Sequence, residues 1–101
     1  MTYRVVLTQE AERQFQTAHS WWVENREASS SLVVDELEEM VSLLEILPDS
    51  GHIFLRATIP GIRRFLLRKS GYWLYYIPDH SHSVVYILAV WSARRGSDPP
   101  L

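Results

Sequence analysis

At 101 residues, with 47% hydrophobic and 12% aromatic side chains, the chain is long enough to build one core in one domain without metal ions or disulfides. It contains no cysteine, which excludes thiol catalysis, Cys-ligated zinc and a disulfide framework. Met1 to Leu7 lack the apolar run of a signal peptide, and no stretch reaches the roughly 20 apolar residues that span a bilayer, so a soluble cytoplasmic protein is expected.

The net charge of -2 hides a strong asymmetry. Residues 1–50 carry ten acidic side chains against Arg4, Arg13 and Arg26, whereas residues 51–101 carry seven basic side chains against Asp79 and Asp98. The halves therefore balance at -7 and +5. A domain of this kind presents a basic surface to an anionic partner while staying near neutral as a whole.

Tyr3 to Leu7 is β-branched and aromatic and reads as a strand. Thr8 then supplies an N-cap oxygen, and Glu10 and Glu12 suit the positive end of a helix dipole. Ala11, Phe15, Ala18 and Trp22 fall on one face of the helix that follows, which runs to about Asn25. Ser29, Ser30 and Ser31 form a polar break with cap candidates. Beyond it Val33, Leu37, Met40, Leu44 and Leu47 repeat at helical spacing beside an acidic face of Asp35, Glu38, Glu39 and Glu45. Pro48 to Gly51 ends this second helix, with Gly51 suited to a left-handed cap.

After Gly51 the period changes to that of strands: a short strand at His52 to Ala57, a Pro60-Gly61 turn, then Ile62 to Lys69, Tyr72 to Ile77 and Val84 to Trp91 in meander order. Both parities of the last strands are apolar, so the second sheet face needs a cover. The order is β-α-α-β-β-β, an α+β domain over residues 1–95 in which a helical hairpin packs on a small antiparallel sheet that the first strand joins. Residues 96–101 read as an irregular or disordered tail.

Several features resemble the ParE/RelE toxin superfamily: the Tyr3-Arg4-Val5 strand followed by Thr8 and Ala11, the Leu44-x-x-x-Pro48-x-x-Gly51 helix exit, and the Gly61-Ile62-Arg63 strand start. The Tyr72-x-x-x-Tyr76 strand and the Val85-x-x-Leu88-x-Val90 strand followed by Arg94-Arg95 complete the pattern, which spans Tyr3 to about Arg95. The resemblance implies the toxin of a bacterial type II toxin–antitoxin pair, of the kind that stabilises plasmids. It implies too a ParD-like or related antitoxin whose C-terminal segment wraps the toxin and covers the apolar and basic sheet surface. A homo-dimer, or a hetero-oligomer with the antitoxin, fits the same reading.

The superfamily includes gyrase poisons similar to ParE and ribosome-dependent mRNA endoribonucleases similar to RelE. Cutting RNA through its 2'-hydroxyl needs a base, an acid and cations around one phosphate. Arg63, Arg64, Arg68, Lys69, Arg94 and Arg95 offer the cations, but Ser92 to Leu101 holds neither the Tyr nor the His that the RelE-like branch places there. Tyr76, Tyr86 and Asp98 are the substitutes on offer, and a net negative charge suits messenger RNA poorly. The expectation is therefore a ParE-like inhibitor of DNA gyrase with no catalytic residue, no cofactor and no metal. In it the same six basic residues, Arg94 and Arg95 foremost, contact gyrase or its DNA. The ParE-like pattern often has a His before the final basic residues, where this chain has Trp91-Ser92-Ala93. A ribonuclease acting on the ribosome and mRNA is the first alternative, and an inactive relative serving as a binding module with its antitoxin is the second.

Each sharp reading has a plainer one. Arginines often solvate a strand edge or pair with acidic helices. His80-Ser81-His82 has metal-like alternation but sits in a hairpin with only Asp79 beside it, which suits a solvated turn. Trp22 continues the core stripe and leaves Trp21 for solvent or a partner. Tyr72, Trp73, Tyr75 and Tyr76 suit base stacking, and equally suit an ordinary sheet core. Ser29 to Ser31 have no histidine to activate them as nucleophiles.

Overall fold

The computed structural model describes residues 2–101. Thr8 caps the first helix as its chemistry predicts, with extended backbone and its Oγ1 accepting the Ala11 N–H at 3.2 Å. The elements are β1 (Arg4–Leu7), α1 (Gln9–Asn25), a 3-10 turn (Glu27–Ser29), α2 (Leu32–Ile46), β2 (His52–Ile53), β3 (Arg63–Leu67), β4 (Tyr72–Asp79) and β5 (Val84–Ser92). The five strands form one sheet in the order β1-β5-β4-β3-β2.

The pairs β2–β3, β3–β4 and β4–β5 are antiparallel as expected, whereas β1 runs parallel to β5. No hairpin joins β1 to its neighbour. It docks against the last strand after the chain has crossed the sheet as two helices, and a crossover permits parallel pairing where a tight turn does not.

Both helices lay their apolar stripes on one sheet face. Ala11, Leu37 and Leu44 meet Leu74, Tyr76, Val85, Ile87 and Val90 there, while Ala18, Trp22 and Val33 close the interhelical end. Burying each such leucine or valine stabilises the fold by about 1.5–3 kcal/mol. Leu47 departs from its predicted stripe, because α2 has ended and the residue serves as a C-cap 54% exposed.

Gly51 also differs from expectation. Glycine has positive φ at Gly61 and Gly71, not here, and Gly51 is instead required by crowding. A Cβ on it would lie 2.6 Å from the Tyr76 hydroxyl, which accepts the Gly51 N–H at 2.8 Å.

The double apolar parity of β4 and β5 has two causes. Tyr75 pairs with Ala89 and Tyr76 with Ile87, so Leu88 is a bulge residue and the inward parity of β5 switches there. The face away from the helices then carries a second core of Phe54, Ile62, Tyr75 and Ala89. The chain covers part of this face itself, with the β2–β3 loop and with residues 97–101, which form no helix or strand.

The tail expected to be irregular or disordered is thus held down. Ser97 O accepts the Trp91 Nε1–H at 2.8 Å, Asp98 pairs with Arg56 at 3.0 Å, and Leu101 O accepts the Thr58 N–H at 2.8 Å. Its polar sequence concealed the buried Pro99 and the Leu101 side chain that reaches the second core.

Candidate cationic interface

The six basic residues singled out in the sequence divide by where the sheet register sends them. Arg63 and Arg64 are adjacent on β3 and so point to opposite faces. Arg63 turns toward the helices, where Nη1 donates to Asp49 O and Gly51 O, both at 2.8 Å, and Nε lies 3.7 Å from the Asp49 carboxylate. It ties the α2 exit turn to the sheet. Arg64 takes the other face, with its guanidinium carbon 4.0 Å from the Trp73 ring centre and Nη1 donating to the Tyr75 hydroxyl at 3.1 Å.

Arg68 and Lys69 lie exposed in the β3–β4 turn. The turn is pinned from below, since the Lys69 and Ser70 N–H groups donate to the Glu36 carboxylate of α2 at 3.0 and 2.7 Å. Arg94 and Arg95 follow β5 at the same end of the sheet, because Tyr72 opposite them is the partner of Ser92. The Arg95 guanidinium stacks on Trp91 at 4.0 Å.

Trp73 and Trp91 are direct cross-strand partners. Arg64 and Arg95 therefore cap two neighbouring rings on one face, each as a cation over a π-system. Among the described residues no carboxylate stands within 4.0 Å of the Arg64, Arg68, Lys69, Arg94 or Arg95 side chains. These five cationic side chains make no direct ion pair among the described residues.

Beside it, α1 and the ends of β4 and β5 enclose a cleft of about 480 Å³ that brings Arg94 and Arg95 together with Arg13. Arg13 is a cation that sequence reasoning missed. Its helical position is unremarkable, and only the packing of α1 on β5, fixed in part by Gln14 Oε1 accepting the Val90 N–H at 2.8 Å, carries it there. Arg13 grips Glu10 through both carboxylate oxygens, and that hydrogen bonding holds the Glu10 carboxyl below its usual range.

Arg56, also missed, pairs with Asp98. His52 is the cross-strand partner of Arg64.

The residues offered as acid or base substitutes are differently placed. Tyr76 is fully buried, its hydroxyl accepts the Gly51 N–H, and burial pushes its ionisation above the ordinary tyrosine range. Tyr86 stands on β5 opposite Ile77. Asp98 borders a smaller cleft with Arg95, but Arg56 engages its carboxylate.

The paired histidines each engage a carboxylate at the β4–β5 turn. Asp79 accepts the Ser81 hydroxyl at 2.7 Å and bonds His82 Nδ1 at 2.9 Å, contacts that lower its carboxyl pKa. His80 bridges the Tyr3 hydroxyl at 2.6 Å and the Asp49 carboxylate at 3.0 Å, tying β1, the α2 exit and the β4–β5 hairpin together. Among the described residues no group of three or more His, Asp or Glu side chains is arranged to hold a metal ion.

Comparison with known proteins agrees with this architecture. The model of the family described as "ParE toxin of type II toxin-antitoxin system, parDE" matches residues 5–96. Among solved structures, the chromosomal ParDE system of P. aeruginosa aligns with a TM-score of 0.71 at 15% identity, covering 92% of this chain and 98% of that one. The intact E. coli RelBE toxin–antitoxin complex aligns at 0.63 with 25% identity, covering 92% and 99%. The RelBE2 complex of Mycobacterium tuberculosis aligns at 0.61 with 24% identity, covering 91% and 99%. No curated protein matches the chain.

Proposed function

The chain belongs to the ParE toxin family of type II toxin–antitoxin systems, and on that footing we propose that, once freed from its antitoxin, it inhibits DNA gyrase and so blocks replication. The observation that carries this reading is the unpaired positive end of the sheet. Arg94, Arg95, Arg64, Arg68 and Lys69 present charge without a carboxylate partner, while Tyr76, a candidate proton donor, is buried away from them. A toxin that traps a topoisomerase needs a contact surface and no acid or base of its own. Cations left unpaired suit a surface that meets an anionic partner, since their attraction is realised on association.

The antitoxin is of the ParD type or related to it. An acidic segment laid over the same end would neutralise the +5 balance of residues 51–101. No helix among the described residues is long and apolar enough to cross a membrane, and a target such as gyrase places the toxin in the cytoplasm.

Pulse-labelling within minutes of induction, without antitoxin, tests the reading: DNA synthesis fails first, and purified gyrase accumulates cleaved DNA in the presence of the toxin. Failure of translation first would transfer the protein to the RelE-like endoribonuclease reading, with the ribosome and mRNA as partners. That alternative has one observation in its favour, the imidazole of His52 across from Arg64.

A further inference from the structure

We propose that the cleft between α1 and the ends of β4 and β5 binds a nucleobase together with its phosphate. Its volume of about 480 Å³ lies within the span of small-ligand sites. Two aromatic side chains from different elements line it, Trp21 of α1 and Tyr72 of β4, while Trp91 of β5 borders it with its ring on the opposite sheet face. Arg13, Arg94 and Arg95 line it too, against the single carboxylate of Glu10. Arg13 is already engaged by Glu10, which leaves the charges of Arg94 and Arg95 for an incoming anion.

The two halves of the lining ask for two halves of one ligand. A simple anion would use the guanidinium groups and leave the rings wet, and an aliphatic ligand would use the rings and leave the cations idle. Trp21 sharpens the point, since it stays 39% exposed although Trp22, its neighbour, fills the core. The Arg95 guanidinium lies 4.0 Å over the Trp91 ring on the sheet face away from α1, at the rim of the cleft.

A free nucleotide and an unpaired end of a nucleic-acid strand share this chemistry. The site holds under either reading of the toxin's target, and gyrase inhibition is measured separately, so failure of one leaves the other standing.

The test is calorimetric titration of the full chain, followed in parallel by tryptophan fluorescence. The probes are AMP, ATP, adenosine, inorganic phosphate and a short single-stranded oligothymidylate. Saturable binding of AMP or the oligonucleotide with fluorescence quenching is expected, tighter than either adenosine or phosphate alone. Trp21→Leu should weaken it roughly tenfold, the order expected for loss of one stacked base. The double variant Arg94→Gln, Arg95→Gln should weaken it and flatten its salt dependence.

These side chains are exposed, so an unchanged urea midpoint will show that each variant is folded. A tighter oligonucleotide assigns the strand end as the source, and an equal or tighter free nucleotide assigns the metabolite. Absence of saturable binding overturns the proposal, as does phosphate binding as tightly as AMP, or a Trp21→Leu variant with unaltered affinity.

Discussion

Gly51 and Tyr76 are in such close contact that the amide of one donates to the hydroxyl of the other at 2.8 Å and no β-carbon fits between them. This contact joins the end of α2 to the centre of the sheet. Gly51→Ala should therefore destabilise the protein by about 1–3 kcal/mol through overpacking. Tyr76→Phe should cost about 1–3 kcal/mol by leaving the buried Gly51 N–H without an acceptor. Urea unfolding followed by circular dichroism checks both, and a midpoint unchanged in either variant would refute the contact.

Burial of the Tyr76 hydroxyl also sets a dependence on pH. Its ionisation is raised above the ordinary value of 10.0, chiefly by desolvation. The folded state therefore keeps its proton where the unfolded chain releases one. Stability from this group is complete below the unfolded pKa and falls as pH rises from there through the folded pKa. Alkaline titration of stability should show a loss beginning near pH 10.0 that Tyr76→Phe removes.

Leu44 and Ile46 sit two residues apart on α2 with opposite fates, the first 0% exposed and the second 68%. Leu44→Ala should lower stability by about 2–5 kcal/mol. Ile46→Ser should change it by no more than about 0.5 kcal/mol. Equal effects in thermal unfolding would mean that α2 is rotated from the orientation described.

The basic residues should separate into two classes. Substituting Arg94 and Arg95 together by alanine should abolish growth arrest on induction while leaving the unfolding midpoint in place. Arg63→Ala should act through folding, with a loss of about 1–3 kcal/mol as two carbonyl acceptors and the Asp49 carboxylate lose their donor. Growth arrest persisting in a soluble Arg94, Arg95 double variant would remove these residues from the contact surface.

Much of the fold was legible in local periodicity. Thr8, the stripe from Ala11 to Trp22 and the change of period after Gly51 located both helices and the order of the strands, since caps and repeats act over a few residues of chain. The candidate site was legible only as a count of cations. No local signal distinguishes Arg63 from Arg64, nor lifts Arg13 above Arg4 and Arg26.

The amino-acid sequence by itself determined the order of elements, the apolar face of each helix and the unequal charge of the two halves, because each is a property of neighbours along the chain. Tertiary structure alone decided that β1 lies parallel to β5, that the bulge at Leu88 turns Ala89 and Trp91 outward, and that the tail lies on the second core. It also turned Arg63 inward as a tie and set Arg13 beside Arg94 and Arg95. Those outcomes depend on register and packing between segments distant in sequence, where a single-residue shift exchanges the two faces of a strand.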